Sequence, residues 1–393
     1  MDIYSICCQR GVAYNDIVVK TLQMSESSIL PRIVARKPFV SRRDDSLSDM
    51  LTQISEVARK KRSPVSLFAR DLLWGICTFR WKKVVKDFIE EVKPDVLYLP
   101  IYASLYMCHV DLTAIQYAGV PVVGHISDDI WNYSTSFPKL SLARLYRWLL
   151  RIKVYKLIQK TSYLEVFAQN MKDEYEKVFG KPCFVIGKGV NIESVRPPRS
   201  ALIKNELIHF VYTGGIGGER YKVLLELGKA LLRQAGRNSI LDVYTFSPLT
   251  EEMKNEIESV PSIQLHGPVN GSEVKRIQRE ADCLVHVEGF SSQSVFSTRM
   301  SFSTKIIDYL ATGNVLLALG PREINSIQVL KDRGVAVVVD ELGELDGVLS
   351  DMFKGKIDLF SIQQTAYNYL ITERSISSIQ QGIHERMNSI IHI

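Results

Sequence analysis

Short apolar runs alternate with segments of helical period through the second half of the chain. Strand-like runs at 209–212, 240–246, 263–265, 283–287 and 315–318 are separated by helical patterns at 223–232, 251–260, 273–280 and 304–311. Strand and helix alternating this often predict a parallel sheet covered on both faces. Such sheets bind ligands in the crevice at the carboxyl ends of their strands. The first half repeats the theme less cleanly, with strands expected at 3–7, 96–99, 120–124, 164–168 and 183–186. Between the first two lies a long stretch that reads as polar and mostly helical. Residues 191–200, with Pro197, Pro198 and two arginines, read as a linker, and the chain after Lys356 reads as helix without strands.

At 393 residues the chain is too long for one comfortable core, so two domains are expected. The pattern places them at 1–190 and 206–358, joined by 191–205 and followed by a helical segment at 359–393. The expected class is α/β, with two Rossmann-like domains facing a cleft and a C-terminal helix that crosses back to the first domain.

A composition of 46% hydrophobic and 23% charged residues is ordinary for a globular protein. The longest apolar stretch free of formal charge, 96–110, is broken by Pro100 and Ser104 and falls short of the ~20 residues a membrane helix needs. Asp2 precedes only a very short apolar run, which argues against a secretory signal. A cytoplasmic location is expected. Cysteines at 7, 8, 77, 108, 183 and 283 have no metal-ligand spacing and form no dense framework, so they read as small buried apolar residues and no metal site is expected. Charge divides unevenly: residues 1–200 hold 30 Lys and Arg against 20 Asp and Glu, and the remainder 19 against 23.

The most specific stretch runs from Ser301 to Ala318. Ser303 or Thr304 is placed to cap a helix whose apolar positions 306, 307, 310 and 311 face the sheet, and Gly313 ends it. Free amides at that N-terminus together with Lys305 suit a phosphate. Asp308, within one turn, suits a ribose diol, because a carboxylate accepts two hydroxyl hydrogen bonds. The same pattern also fits a capped surface helix with an incidental Lys and Asp.

The run Ser303-Thr304-Lys305-Ile306-Ile307-Asp308-Tyr309-Leu310-Ala311-Thr312-Gly313 resembles the segment before the penultimate strand of GT-B glycosyltransferases of the family 4 type, above all bacterial members that build surface polysaccharides. Lys93-Pro94-Asp95-Val96, the stretch from His125 to Trp131 after a Val-Pro-Val-Val strand, and Tyr212-Thr213-Gly214-Gly215 are similar to further blocks of that family, in order, over residues 90–320.

The resemblance implies a nucleotide-sugar donor held mainly by the second domain, with no cofactor, and transfer that is retaining and metal-independent. The family carries two acidic residues with seven intervening, the first toward the donor sugar and the second toward the ribose. Asp308 matches the second. Glu288 is the best match for the first, but 19 residues intervene, so residues 291–302 form an inserted loop that folds away or joins the site. Glu288 also fits a strand-end carboxylate that contacts only water. The family's basic pair at the departing diphosphate corresponds to the loop with Gly214, Gly215, Arg220 and Lys222, where Arg and Lys stand closer together than usual. Breaking the anomeric bond leaves a diphosphate whose developing charge needs pre-aimed donors, for which Arg220, Lys222 and Lys305 are the candidates. Lys222 fits a solvated turn equally well.

On the acceptor side, His125 is expected at the end of the 120–124 strand, where the family often places a histidine near the donor sugar. Asp128 and Asp129 suit acceptor or donor hydroxyls, or cap a following helix; Gly11 matches the family's first glycine loop only loosely. Between Asp129 and Glu165 there is no carboxylate, and 139–160 holds seven Lys and Arg. A helix at 142–152 would gather Leu142, Leu145, Tyr146, Leu149 and Ile152 on one face, with Arg144, Arg147 and Arg151 opposite. Such a helix docks on anionic lipid or packs on a core with its basic face in water. Arg59-Lys60-Lys61-Arg62 and Arg80-Trp81-Lys82-Lys83 extend the same positive surface. The expected acceptor is a saccharide, lipid-linked at the inner face of the cytoplasmic membrane. Nucleic acid is not expected, since no recognition motif accompanies the charge. Two rival assignments share these residues: a nucleotide-sugar epimerase or hydrolase, and a catalytically degenerate nucleotide-sugar-binding subunit. A dinucleotide-dependent oxidoreductase ranks lower, because the full Gly-x-Gly-x-x-Gly fingerprint is missing after the first strand.

Overall fold

The computed structural model describes residues 2–8, 17–29, 39–42, 64–132, 142–199, 207–234 and 238–391. Three sheets organise them. Strands β1 (Ile3–Cys7), β2 (Val18–Gln23) and β3 (Phe39–Arg42) form the first, with β1 parallel and β3 antiparallel to β2. Strands β4 (Leu97–Pro100), β5 (Val122–Ile126), β6 (Tyr163–Val166) and β7 (Cys183–Val185) follow in sequence order as an all-parallel sheet.

The third sheet contains β8 (Leu207–Thr213), β9 (Asn238–Tyr244), β10 (Ile263–His266), β11 (Cys283–Val287), β12 (Val315–Leu319) and β13 (Val337–Val339). Its order is β10-β9-β8-β11-β12-β13, all parallel. This is the doubly wound order, and the chain reverses direction across the sheet between β8 and β11. Every residue of β11 and β12 is buried, as expected of central strands covered on both faces. Helix Arg220–Arg233 covers one face through Val223, Leu227 and Leu231. Helix Lys305–Leu310 covers the other through Ile306, Ile307 and Leu310.

Two helices end the described chain. Tyr369 and Leu370 of helix Leu359–Glu373 pack with Ile306 and Ile307. The last helix, Ile376–Ile391, leaves that face: Met387 packs on Val123 and Tyr163, and Arg386 donates at 3.0 Å to Glu165, a carboxylate with no solvent exposure. The crossing is pinned at Val190, whose amide donates to the Arg374 carbonyl and whose carbonyl accepts from Ile376.

Several expectations need correction. Among its described residues the stretch between the first two expected strands is mostly helix, in Pro64–Ile76 and Thr78–Val92 above all, but it also contains β2 and β3, which were not expected. In β2 the buried set includes Thr21 and Gln23, so its apolar signal is diluted. β5 extends to Ile126, which puts His125 inside the strand. Thr304 stands at the N-cap of its helix but makes no side-chain cap bond, and the Ser303 amide donates instead to Ser326 Oγ at 3.1 Å. Helix Leu142–Gln159 buries Tyr146, Leu150, Val154, Leu157 and Ile158, leaving Leu142, Leu145 and Ile152 exposed, so Tyr146 belongs to the opposite face from the one expected. Gly11, residues 59–62, Lys139 and residues 200–205 of the expected linker lie outside the described residues.

Candidate active site

At the switch point, β8 ends at Thr213 and the chain turns through Gly214 and Gly215. This turn is held from several directions. Tyr212 Oη donates to the Gly215 carbonyl at 2.6 Å, Tyr309 Oη to the Thr213 carbonyl at 3.0 Å, and Gln278 Nε2 to Thr213 Oγ1 at 2.8 Å. Lys305 Nζ donates to the same Thr213 carbonyl at 3.0 Å. Gly214 has φ of 140°, and a Cβ there would lie 2.3 Å from Lys305 Nζ, so a side chain and the lysine compete for one space.

Glu288 follows β11 directly and is buried. Arg220, at the start of its helix, donates to Glu288 Oε2 from Nε at 3.0 Å and from Nη2 at 2.8 Å. Two expected site residues 68 positions apart thus form one ion pair. Burial raises the Glu288 pKa against the pull of Arg220. Burial also works against the Arg220 charge, but the Glu288 carboxylate outweighs it and the Arg220 pKa lies above its ordinary value. Lys305 is pushed down to about 8, by burial and then by the Arg220 charge, with Glu288 pulling the other way. His286, fully buried on β11, is held neutral with its pKa down to about 3 by burial and then by Lys305 and Arg220.

Two cations and one carboxylate therefore meet in a mostly buried crevice, leaving net positive charge. Holding a charged amine there costs stability in the empty protein, and an anion bound beside it would offset that cost.

Other expected residues are arranged differently. Lys222 is exposed and its ammonium binds Glu219 at 3.1 Å, away from the Glu288 pair. Asp308 accepts from Lys188 Nζ, at 2.6 Å to Oδ2; Lys188 follows β7 and was not anticipated. Its signal was slight, a single lysine between Gly187 and Gly189. His125 is stacked on Tyr98, its Nδ1 is buried without a hydrogen-bond partner, and burial lowers its pKa despite Glu165. Asp128 is exposed. Asp129 is engaged in a turn: Oδ1 accepts from Tyr175 Oη at 2.9 Å and from the amides of Trp131 and Asn132 at 3.1 Å, and Oδ2 lies 3.6 Å from Arg299. The pairs Lys188 to Asp308 and Asp129 to Arg299 join the carboxyl ends of the second sheet to those of the third.

The inserted segment forms helix Ser292–Thr298, with Ser291 Oγ accepting from the Ser294 amide as its N-cap. It docks on the glycine-rich loop, since Ser294 Oγ donates to the Gly218 carbonyl at 2.9 Å.

This architecture has counterparts among solved structures. HepE from Anabaena, in complex with UDP and glucose, superposes with a TM-score of 0.57 at 15% identity, over 78% of this chain and 82% of that one. Sucrose-phosphate synthase from Thermosynechococcus elongatus gives 0.58 at 11% identity, over 82% and 80%. The chain has the GT-B fold. At these identities the likeness concerns fold alone. No protein-family model matches the sequence, and no curated protein does.

Proposed function

We propose that the protein is a glycosyltransferase of the family 4 type, moving a sugar from a nucleotide-diphospho-sugar to a saccharide acceptor in surface polysaccharide synthesis. The observation that carries this reading is the Arg220, Glu288 and Lys305 cluster at the switch point of the doubly wound sheet. A guanidinium has five N–H donors, and Arg220 gives Glu288 bonds from only two nitrogens, which leaves Nη1 for a phosphate oxygen. Lys305 adds a second cation, and both stabilise charge on the leaving diphosphate without a metal being required for that role. In this reading Glu288 serves the donor sugar and transfer retains the anomeric configuration. Each oxygen of Asp308 has two lone pairs, so it can accept from a ribose hydroxyl while keeping Lys188. Gly214, Gly215, Ser303 and Thr304 are assigned to the donor, and His125 and Asp128 to the sugars, in the same reading. The bound UDP and glucose of HepE support the same donor class.

Incubation with a panel of nucleotide sugars, with and without saccharide acceptors, tests this. Release of nucleoside diphosphate is expected to depend on the acceptor. Equal release without acceptor would favour a hydrolase or epimerase, and binding without release a non-catalytic subunit.

Because Lys305 titrates at about 8, diphosphate affinity is expected to fall as pH rises through that value, as the protonated amine is lost. Titration calorimetry with the bound nucleotide from about pH 6.5 to about pH 9 should show this, and Lys305→Arg should flatten it.

The acceptor is proposed to be lipid-linked, with the protein at the inner face of the cytoplasmic membrane. Helix Leu142–Gln159 exposes Leu145, Trp148, Ile152 and Tyr155, which share a stripe opposite its buried face, with Arg144 and Arg151 along one edge and Lys156 on the other. The neighbouring helix, joined by the Phe68 and Tyr146 rings at 5.1 Å, exposes Val65, Leu72 and Ile76. Apolar side chains rimmed by bases suit the headgroup boundary of an anionic bilayer. Among the described residues no helix is long and apolar enough to cross a membrane. Flotation with phosphatidylglycerol vesicles is expected for the natural protein and lost in Trp148→Glu/Ile152→Glu. Equal flotation of both would remove the membrane part of the reading.

A further inference from the structure

The inserted helix does more than fold away. Its first turn is fixed to the glycine-rich loop through Ser294, and its far end is fixed where the Asn325 amide donates to the Arg299 carbonyl at 3.0 Å and where Arg299 approaches Asp129 of the first half. Between this helix and the turn after β12 lies an open groove of about 470 Å³, lined by Phe290, Ser292, Val295, Phe296, Arg299, Pro321 and Glu323. That volume is within the roughly 300–1,000 Å³ of small-ligand sites.

The lining has the chemistry of a sugar site. Phe290 and Phe296 supply apolar side chains for the C–H face of a pyranose, and Arg299 and Glu323 supply a donor and an acceptor for its hydroxyls. Arg299 is already positioned over the Phe296 ring, 4.4 Å from its centroid, and its charge is met by Asp129 at 3.6 Å, which favours an uncharged ring. Placement separates this groove from the donor's diphosphate. The diphosphate cluster occupies the crevice between β8 and β11, whereas the groove lies over the ends of β11 and β12. Phe290 is two residues past Glu288, and a Cβ on Gly320, the residue before Pro321, would stand 3.0 Å from the Glu288 Cβ.

We propose that the inserted helix builds an acceptor subsite on the C-terminal domain, which takes a neutral pyranose ring beside the one that receives the transferred sugar. The inference rests on the glycosyltransferase reading. It implies that acceptors of two or more rings bind far better than monosaccharides.

Saturation-transfer NMR on the full chain with methyl maltoside, methyl cellobioside, methyl lactoside and methyl glucoside tests it, against Phe296→Ala and Ser292→Trp. Both positions are exposed, and thermal stabilisation by the nucleotide that binds the natural protein reports whether each variant retains its fold. The expected result is binding of at least one disaccharide, weakened about tenfold or more in both variants, with nucleotide binding unchanged. Absence of disaccharide binding, or equal binding in all three proteins while nucleotide still binds, overturns the subsite alone. A loss in the variants of preference for nucleotide sugar over bare nucleotide also overturns it, because the groove would then hold the donor's own sugar. No nucleotide binding in any of them would instead sink the underlying reading.

Discussion

Replacing Lys305 with Met is expected to lower turnover by about 10²–10³ while leaving the unfolding temperature unchanged or raising it. The loss follows from removing a buried donor aimed at the site where diphosphate charge develops. The stability effect follows from the sign of the pKa shift. Lys305 titrates at about 8 in the folded protein, below the ordinary value of about 10.4. Between those values the unfolded chain binds more protons, so stability rises with pH, and below about 8 the full cost of the buried charge is present. Met removes that cost and approximates the volume. Thr213 keeps a partner for its carbonyl in Tyr309 Oη. Thermal melts at about pH 7 and about pH 9.5 should therefore converge for the variant, as far as this group contributes, where the natural protein gains stability.

Arg220→Met is expected to be the most destabilising change at the site, by about 3–5 kcal/mol near neutral pH, because it leaves the Glu288 carboxylate buried without its two hydrogen bonds. Burial already raises the Glu288 pKa, and loss of Arg220 raises it further. A carboxylate with a folded pKa above its unfolded value makes stability fall as pH rises, so the deficit should shrink toward acid. Urea unfolding at about pH 5 and about pH 8 measures this difference. Adding Glu288→Gln should restore most of the stability, since the uncompensated charge is gone, and none of the turnover. A deficit that is independent of pH and not rescued by the second substitution would mean that the pair is not what holds this corner together.

The C-terminal sheet was legible strand by strand because its central strands are buried on both faces and carry unbroken apolar runs, as in Cys283–Val287 and Val315–Leu319. β13 was passed over although Val335–Val339 is an unbroken apolar run of five. β2 was hidden because it buries Thr21 and Gln23. In helix Leu142–Gln159 both opposed faces are apolar, so period alone could not say which one meets the core; the rings of Phe68 and Tyr146 decide it.

Within the site, Arg220, Glu288 and Lys305 were each visible as candidates from residue type and position. Their mutual geometry was not, because the Arg220 and Glu288 contact depends on how β8 and β11 come to lie side by side. Lys188 and His286 were missed for want of any local pattern. One is a lysine between glycines and the other a histidine inside an apolar strand.

The most direct test is thermal stabilisation of the purified protein by uridine, guanosine, adenosine, cytidine and thymidine diphosphates and their sugars, repeated on Lys305→Met and Asp308→Ala. A ligand that binds only the folded state raises its stability by mass action. The donor reading predicts a selective shift with one base, reduced in both variants. No shift with any nucleotide, at concentrations far above ordinary donor affinities, would contradict it.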